Sequence, residues 1–222
     1  MNAETLHSLL EKHIPHIARS HKTDDLTQFG QDWTRFHEPN AAVVFFPNDA
    51  KEVQEIVKLA NNSGAVIVPS GGRTGYSAGA VATQSEWVVS LVRLNDISGF
   101  NEIDQTVSVG AGVITEQLHN FAEEHNLFYP VDFASSGSSH IGGNIATNAG
   151  GPRCLKYGVT KQYILGLEVV TATGEIMRVG GRCHKNKTGF DLTTLMCGSE
   201  GMLGIVTEAT VRIIPHPETR AM

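Results

Sequence analysis

The sequence predicts an α+β fold in which a small parallel β/α part is followed by a larger, mostly antiparallel β part with helices. Three observations predict it. A strand-helix-strand pattern occupies residues 43–68, short strands with turn signals follow residue 85, and a hairpin signal lies at Ala172-Thr173-Gly174.

The first element is an amphipathic helix over residues 4–14, which sets Leu6, Leu9, Leu10 and Ile14 on one face before Pro15 ends or kinks it. Val43 to Phe46 reads as a short apolar strand, and Pro47 with Asn48 as the cap of a helix whose buried face holds Val53, Ile56, Val57 and Ala60. Gly64 ends that helix, and Ala65 to Val68 returns as a parallel strand. Trp87–Leu91, Gly99–Ile103 and Thr106–Gly110 follow as strands, with the polar pair Asp104-Gln105 as the turn between the last two. A helix with Leu118 and Phe121 on one face precedes a glycine-rich stretch from 137 to 151. Ile164–Thr171 and Glu175–Val179 form the hairpin, and Ile205–Ile214 makes a last strand.

A chain of 222 residues with 41% hydrophobic residues can bury a sizeable core. Its net charge of -6 gives no footprint for nucleic acid or an anionic membrane, so neither partner is expected. A GXXG clamp for RNA could be read at Gly198-Ser199-Glu200-Gly201, but such a clamp needs a basic groove and this one holds a glutamate. No run approaches the ~20 apolar residues of a membrane span, and the start of the chain has no basic, apolar signal pattern. Three widely spaced cysteines, Cys154, Cys183 and Cys197, suit reduced thiols, and the expected compartment is the cytoplasm. His13 and His16 share a helix end without a third ligand nearby, so no metal site is expected.

Chemistry is concentrated in glycine-rich loops. The first, Pro69-Ser70-Gly71-Gly72-Arg73-Thr74-Gly75-Tyr76-Ser77-Ala78-Gly79, follows a buried strand directly, as it must if its amides are to converge on a phosphate. Its spacing fits neither a Walker A loop nor a GxGxxG dinucleotide site, and glycines used only for tight turns remain an alternative. The second constellation runs from Pro130-Val131-Asp132 through Gly137-Ser138-Ser139-His140-Ile141-Gly142-Gly143-Asn144-Ile145-Ala146-Thr147-Asn148-Ala149-Gly150-Gly151 to Lys156-Tyr157-Gly158. A third joins Lys187-Thr188-Gly189-Phe190-Asp191-Leu192 to Gly198–Thr207. Two amide-rich loops can hold one diphosphate from both sides.

In this order the three blocks, over about residues 40–215, resemble the FAD-binding domain of vanillyl-alcohol-oxidase-type flavoproteins, the PCMH-type fold. GGNIATNAGG is most similar to the FAD-linked D-2-hydroxyacid dehydrogenases, and GSSHIGGN to their D-2-hydroxyglutarate and D-lactate branch, with glycolate oxidase subunits as near neighbours. The resemblance implies a helical segment over 1–38, an FAD-binding domain over 39–215 with subdomains at about 39–95 and 96–215, and a linker over 216–222 toward an absent cap domain.

It also implies the site. The backbone of Gly71, Gly72, Arg73, Thr74, Gly75 and Ser77 would cradle the pyrophosphate, with Gly142, Gly143, Thr147, Asn148 and Gly151 closing on the other side and toward the flavin. Pro69, Tyr76, Pro130, Ser138, Asn144 and Tyr157 would also contact the cofactor. Gly201, Gly204, Ile205 and Val206 would line the cofactor. Some relatives attach flavin covalently through a histidine in the first loop. Arg73 stands there in this sequence, which implies noncovalent FAD. Arg73 is either a cation near the phosphates or a solvent-facing side chain, and His140 either a hydrogen-bonded structural residue or a weak candidate for the catalytic base. Glu200 would fix its loop or touch the cofactor.

The implied reaction is hydride transfer from the Cα–H of a D-2-hydroxyacid to flavin N5, giving a 2-oxoacid. The substrate clamp would come from the missing cap domain or a second subunit, and no motif names the electron acceptor. Two other readings are a flavin-binding subunit without activity of its own, and a same-fold oxidase of a sugar or lactone.

Overall fold

The structure, a computed structural model, describes residues 3–218, so the linker expected over 216–222 lies partly outside the described residues. Helix α1 (Ala3–His13) buries Leu6 and Leu10, and Ile14 follows on the same face. Strand β1 (Arg19–Ser20), helix α2 (Thr23–Phe29) and strand β2 (Val43–Phe45) lead into helix α3 (Ala50–Ser63). Val53, Ile56, Val57 and Ala60 of α3 are buried, and Gly64 ends it in the left-handed region at φ 69°.

The cap of α3 corrects the expectation of Pro47 and Asn48. Asp49 has the extended backbone of an N-cap, and its carboxylate accepts the Glu52 N–H at 2.8 Å, while Asn48 instead contacts the Glu52 side chain. Strand β3 (Ile67–Ser70) starts later than expected because Ala65 N–H still closes on Ala60 O. Strand β4 (Trp87–Ser90) lies between β2 and β3 and parallel to both, in the sheet order β1-β2-β4-β3. The strands that α3 connects are parallel but are not neighbours.

The larger part contains strands β5 (Ile97–Asn101) and β6 (Thr106–Gly110), helix α4 (Thr115–Glu124), strand β7 (Leu127–Phe128), and helices α5 (Ile141–Ala146) and α6 (Cys154–Tyr157). Strands β8 (Ile164–Thr171) and β9 (Ile176–Gly180), helix α7 (Leu192–Met196) and strands β10 (Gly204–Arg212) and β11 (Ile214–Pro215) complete it. Among the described residues, five strands form an antiparallel sheet ordered β5-β6-β10-β8-β9. β5 ends earlier than expected because Asn101 Oδ1 accepts the Asp104 N–H and turns the chain. The expected last strand divides after Arg212, and β11 pairs with β7 instead.

One face of this sheet packs with α4, α5 and α7 through Val107, Val109, Leu118, Ile141, Ile145, Val206 and Val211. Val170 and Ile205, on its other face, share an apolar cluster with Val53, Ile56 and Val57 of α3. Side chains of α3 also reach the β8–β9 turn, where Gln54 donates to Gly174 O and Asn61 to Ala172 O. No helix among the described residues is long and apolar enough to cross a membrane.

Candidate cofactor site

The loop after β3 and the segment leading into α5 meet at backbone level. A Cβ built on Gly71 would lie 3.7 Å from both N and Cα of Gly143, in ordinary contact. One on Gly72 would overlap the Ser138 carbonyl oxygen and lie 2.8 Å from Ser139 Cα and 2.9 Å from His140 N. Gly72 is therefore where the two glycine-rich loops touch, and a Cβ there would force them apart. Beside Gly143, by contrast, a Cβ would meet nothing within 4 Å. The junction is tight at Gly72 and open beside Gly143.

Helix α5 carries the second loop and was not expected from a stretch so rich in glycine. Ile141 and Ile145, four residues apart and fully buried, pull it onto the core, where packing overrides the low helix propensity of Gly142 and Gly143. Gly142 N–H donates to Ala111 O at 2.8 Å, and a Cβ there would sit 2.6 Å from Ala111 Cβ, so this glycine lets the helix lie against the end of β6. Asn144 serves the same framework. It is buried, and its amide donates to Thr115 Oγ1 at 2.6 Å, which in turn lies 2.7 Å from Ser139 Oγ.

Arg73, at φ 57°, turns inward rather than toward solvent. Its Nη1 donates to Gly71 O at 2.9 Å, and its guanidinium lies 4.6 Å from the centre of the Phe29 ring. The solvent-facing alternative is thus corrected: the long side chain folds back over α2 and braces its own loop. Burial lowers its pKa from the ordinary value.

His140 stands at the N-cap of α5, 7% exposed, with Nδ1 buried and without a hydrogen-bond partner among the described residues. Burial, and then the Arg73 charge, push its pKa from 6.5 down to about 4. A group so weakly basic is a poor proton acceptor, which counts against the catalytic base, while the unpartnered Nδ1 departs from the hydrogen-bonded structural residue expected as the alternative. Because the unfolded imidazole titrates first, the unfolded state binds more protons between pH 6.5 and 4. Stability of the flavin-free chain from this source should be full above that window and fall, by up to about 3 kcal/mol, as pH drops through it. Urea midpoints at pH 7 and 4.5 should differ less in His140→Gln than in the parent, and an equal difference would refute the assignment.

The other expected site residues divide between two places. Pro69, Gly201, Gly204 and Ile205 line a cleft of about 180 Å³ that also takes in Ile67 and the end of α3 at Val57 and Ala60. Val206 points to the opposite face of β10 and backs α5 in the core, as alternation along a strand requires. Gly198 N–H donates to Ile145 O and Glu200 N–H to Ala146 O, so the third block docks on the end of α5 through backbone while Glu200 Oε2 lies near Gly79. Thr147 Oγ1 donates to Gly143 O, and Asn148 Oδ1 accepts the Lys161 N–H. Ser138 and Ser77 are exposed, Thr74 half-buried, and Tyr76 76% exposed.

Three of the residues play a supporting part. Pro130 is buried, Gly151 lies where a Cβ would overlap Asp132 O, and Tyr157 packs edge-on against Phe128 at 5.7 Å. Residues missed in the sequence are Phe29 beneath Arg73, Ala111 beneath Gly142, Thr115 beside Asn144, and the Asp32-Trp33 pair beside Gly75, whose backbones join where Trp33 N–H donates to Gly75 O. Asp32 and Thr34, spaced as an Asx turn, were the one local signal. No group of three or more potential metal ligands gathers among the described residues.

A model of the FAD binding domain family matches residues 41–180. The D-2-hydroxyglutarate dehydrogenase of Xanthomonas citri pv. viticola is 48% identical over 214 residues, covering 96% of this chain and 45% of that protein. Glycolate oxidase subunit GlcD of Bacillus subtilis is 42% identical over 192 residues, covering 86% and 41%. Among solved structures, an alkyldihydroxyacetonephosphate synthase superposes with a TM-score of 0.83 at 21% identity, over 99% of this chain and 41% of that one, which shows the fold alone. The chain spans less than half the length of these relatives.

Proposed function

Because this chain belongs to the family of FAD binding domains, we propose that it is the cofactor-holding part of a flavin-dependent dehydrogenase that oxidises a D-2-hydroxyacid to a 2-oxoacid. The observation that carries this is the meeting of the two glycine loops at Gly71 and Gly143 beside open space. The residues present fit the group: amides of Gly71–Gly75 and of Gly143 take the diphosphate from two sides, and the cleft at Pro69, Gly201 and Ile205 takes one ring system. When bound, FAD supplies a hydride acceptor. Arg73, engaged with Gly71 O and Phe29, offers no nucleophile for a covalent link at its position, and we take the holding to be noncovalent.

The hydroxyacid substrate is carried over from the names of the relatives. Over residues 69–79 and 137–151 the arginine and histidine are Arg73 and His140, both turned into the protein, while Arg153 pairs with Asp132; we take a carboxylate clamp and a catalytic base to come from a covering domain or second subunit. We take residues 39–95 and 96–215 as two subdomains of one cofactor unit behind the helical segment 1–38. The cytoplasm, or a similarly reducing space, suits three free cysteines.

Ligand released by heat from the purified or reconstituted chain should have the mass of FAD. FMN alone, or a protein that refuses added FAD, would overturn the reading. Mixed anaerobically with D-2-hydroxyglutarate, D-lactate or glycolate, the flavin absorbance near ~450 nm should fade slowly or not at all, because on this reading the acid is positioned for transfer by the covering part. Fast, stereospecific bleaching would move the base back into this chain.

A further inference from the structure

The segment just before β2 is fastened to the first glycine loop, although it precedes residue 41, where the family match begins. Asp32 is 7% exposed, and its Oδ1 accepts both the N–H and the hydroxyl of Thr34, at 2.9 and 2.6 Å. Its Oδ2 lies 3.8 Å from the place a Cβ on Gly75 would take, and Trp33 N–H donates to Gly75 O at 3.1 Å. This buried turn holds the backbone of Trp33 firmly while its indole stays 57% exposed, with the Arg35 guanidinium 5.1 Å from the ring centre. A large aromatic ring kept in water on a rigid anchor is the arrangement of a stacking platform.

We propose that Trp33 is an aromatic wall of the cofactor site and stacks on the isoalloxazine of bound FAD. The proposal rests on the FAD-binding reading. Its choice of ring follows from the two ends of the loop. The Pro69 end opens into the cleft with Ile67, Gly201 and Ile205, whereas the Gly75 end carries Trp33 on open surface. A redox ring must be reached by substrate from outside, so it belongs at the open end, and the adenosine belongs in the cleft.

The test is a titration of the chain with FAD, FMN and ADP, followed by tryptophan emission and by bound ligand. Of the two tryptophans, Trp87 is 3% exposed and Trp33 is the one within reach of a ligand. FAD and FMN should quench the exposed emission and ADP should not. Trp33→Ala should weaken FAD and FMN about tenfold and leave ADP unchanged, while Trp33→Phe keeps the affinity and loses the quench. Trp33→Ala with parental circular dichroism and unchanged FAD affinity would overturn the proposal. Weakened ADP binding with unchanged FMN binding would place adenine on Trp33 and overturn the choice of ring. A parent chain that binds no flavin would overturn the FAD-binding reading itself, and this proposal with it.

Discussion

Gly143→Asp should abolish measurable FAD binding while leaving the flavin-free fold as stable as the parent. Its Cβ would enter space with no atom within 4 Å, at a helical backbone position, so the substitution meets no steric obstacle. An acid in the first turn of α5 even complements the helix dipole. Toward a ligand the effect reverses. A carboxylate at ordinary contact distance from a diphosphate repels it by about 4 kcal/mol per charge pair at an effective dielectric near ~20, so a loss of at least about a hundredfold is expected. Melting curves without flavin and equilibrium dialysis with FAD separate the two quantities. A variant that melts with the parent and binds FAD equally well would put the diphosphate elsewhere.

Gly72→Ala should act in the opposite manner, costing stability and binding together. Its φ is not in the left-handed region, so the backbone itself accepts alanine; the obstacle is the Ser138–His140 backbone, which a Cβ would strike at several atoms. Backbone cannot rotate aside as a flexible side chain can. Separating the loops should cost about 2–3 kcal/mol and lower the thermal midpoint by roughly 5–10 °C. FAD affinity should fall as well, since the Gly71–Gly143 approach depends on the same contact. An unchanged midpoint in scanning calorimetry would show that the loops are not joined at Gly72.

What could be read from the sequence was local. The apolar spacing of Val53, Ile56, Val57 and Ala60 and the stop at Gly64 define α3 without reference to any other part of the chain. Ala172-Thr173-Gly174 likewise defines the β8–β9 turn, where Gly174 takes φ 78°. The cradle was legible because glycine marks close backbone approach, as at Gly72 and Gly142. Features that depend on distant partners were not. The β1 pair Arg19–Ser20 is a strand only because Val44 and Phe45 lie beside it. Helix α5 forms against its own propensity because Ile141 and Ile145 find a core. Nothing near Arg73 in sequence announces Phe29, and nothing near Gly75 announces Asp32.

The insertion of β4 between β2 and β3 also bears on how quickly a ligand can be captured. The first glycine loop is the crossover that must close for β4 to pair with β3 at all, from Ile67 opposite Trp87 to Ser70 opposite Ser90. The entropy of closing it is therefore lost when the sheet forms, at the folding step. Capture of FAD then begins from a loop whose ends are already anchored, and its association rate need not include a slow ordering phase. Amides of β4, paired along both edges, should be among the slowest to exchange in the molecule, and the loop's anchors should open only when that strand does.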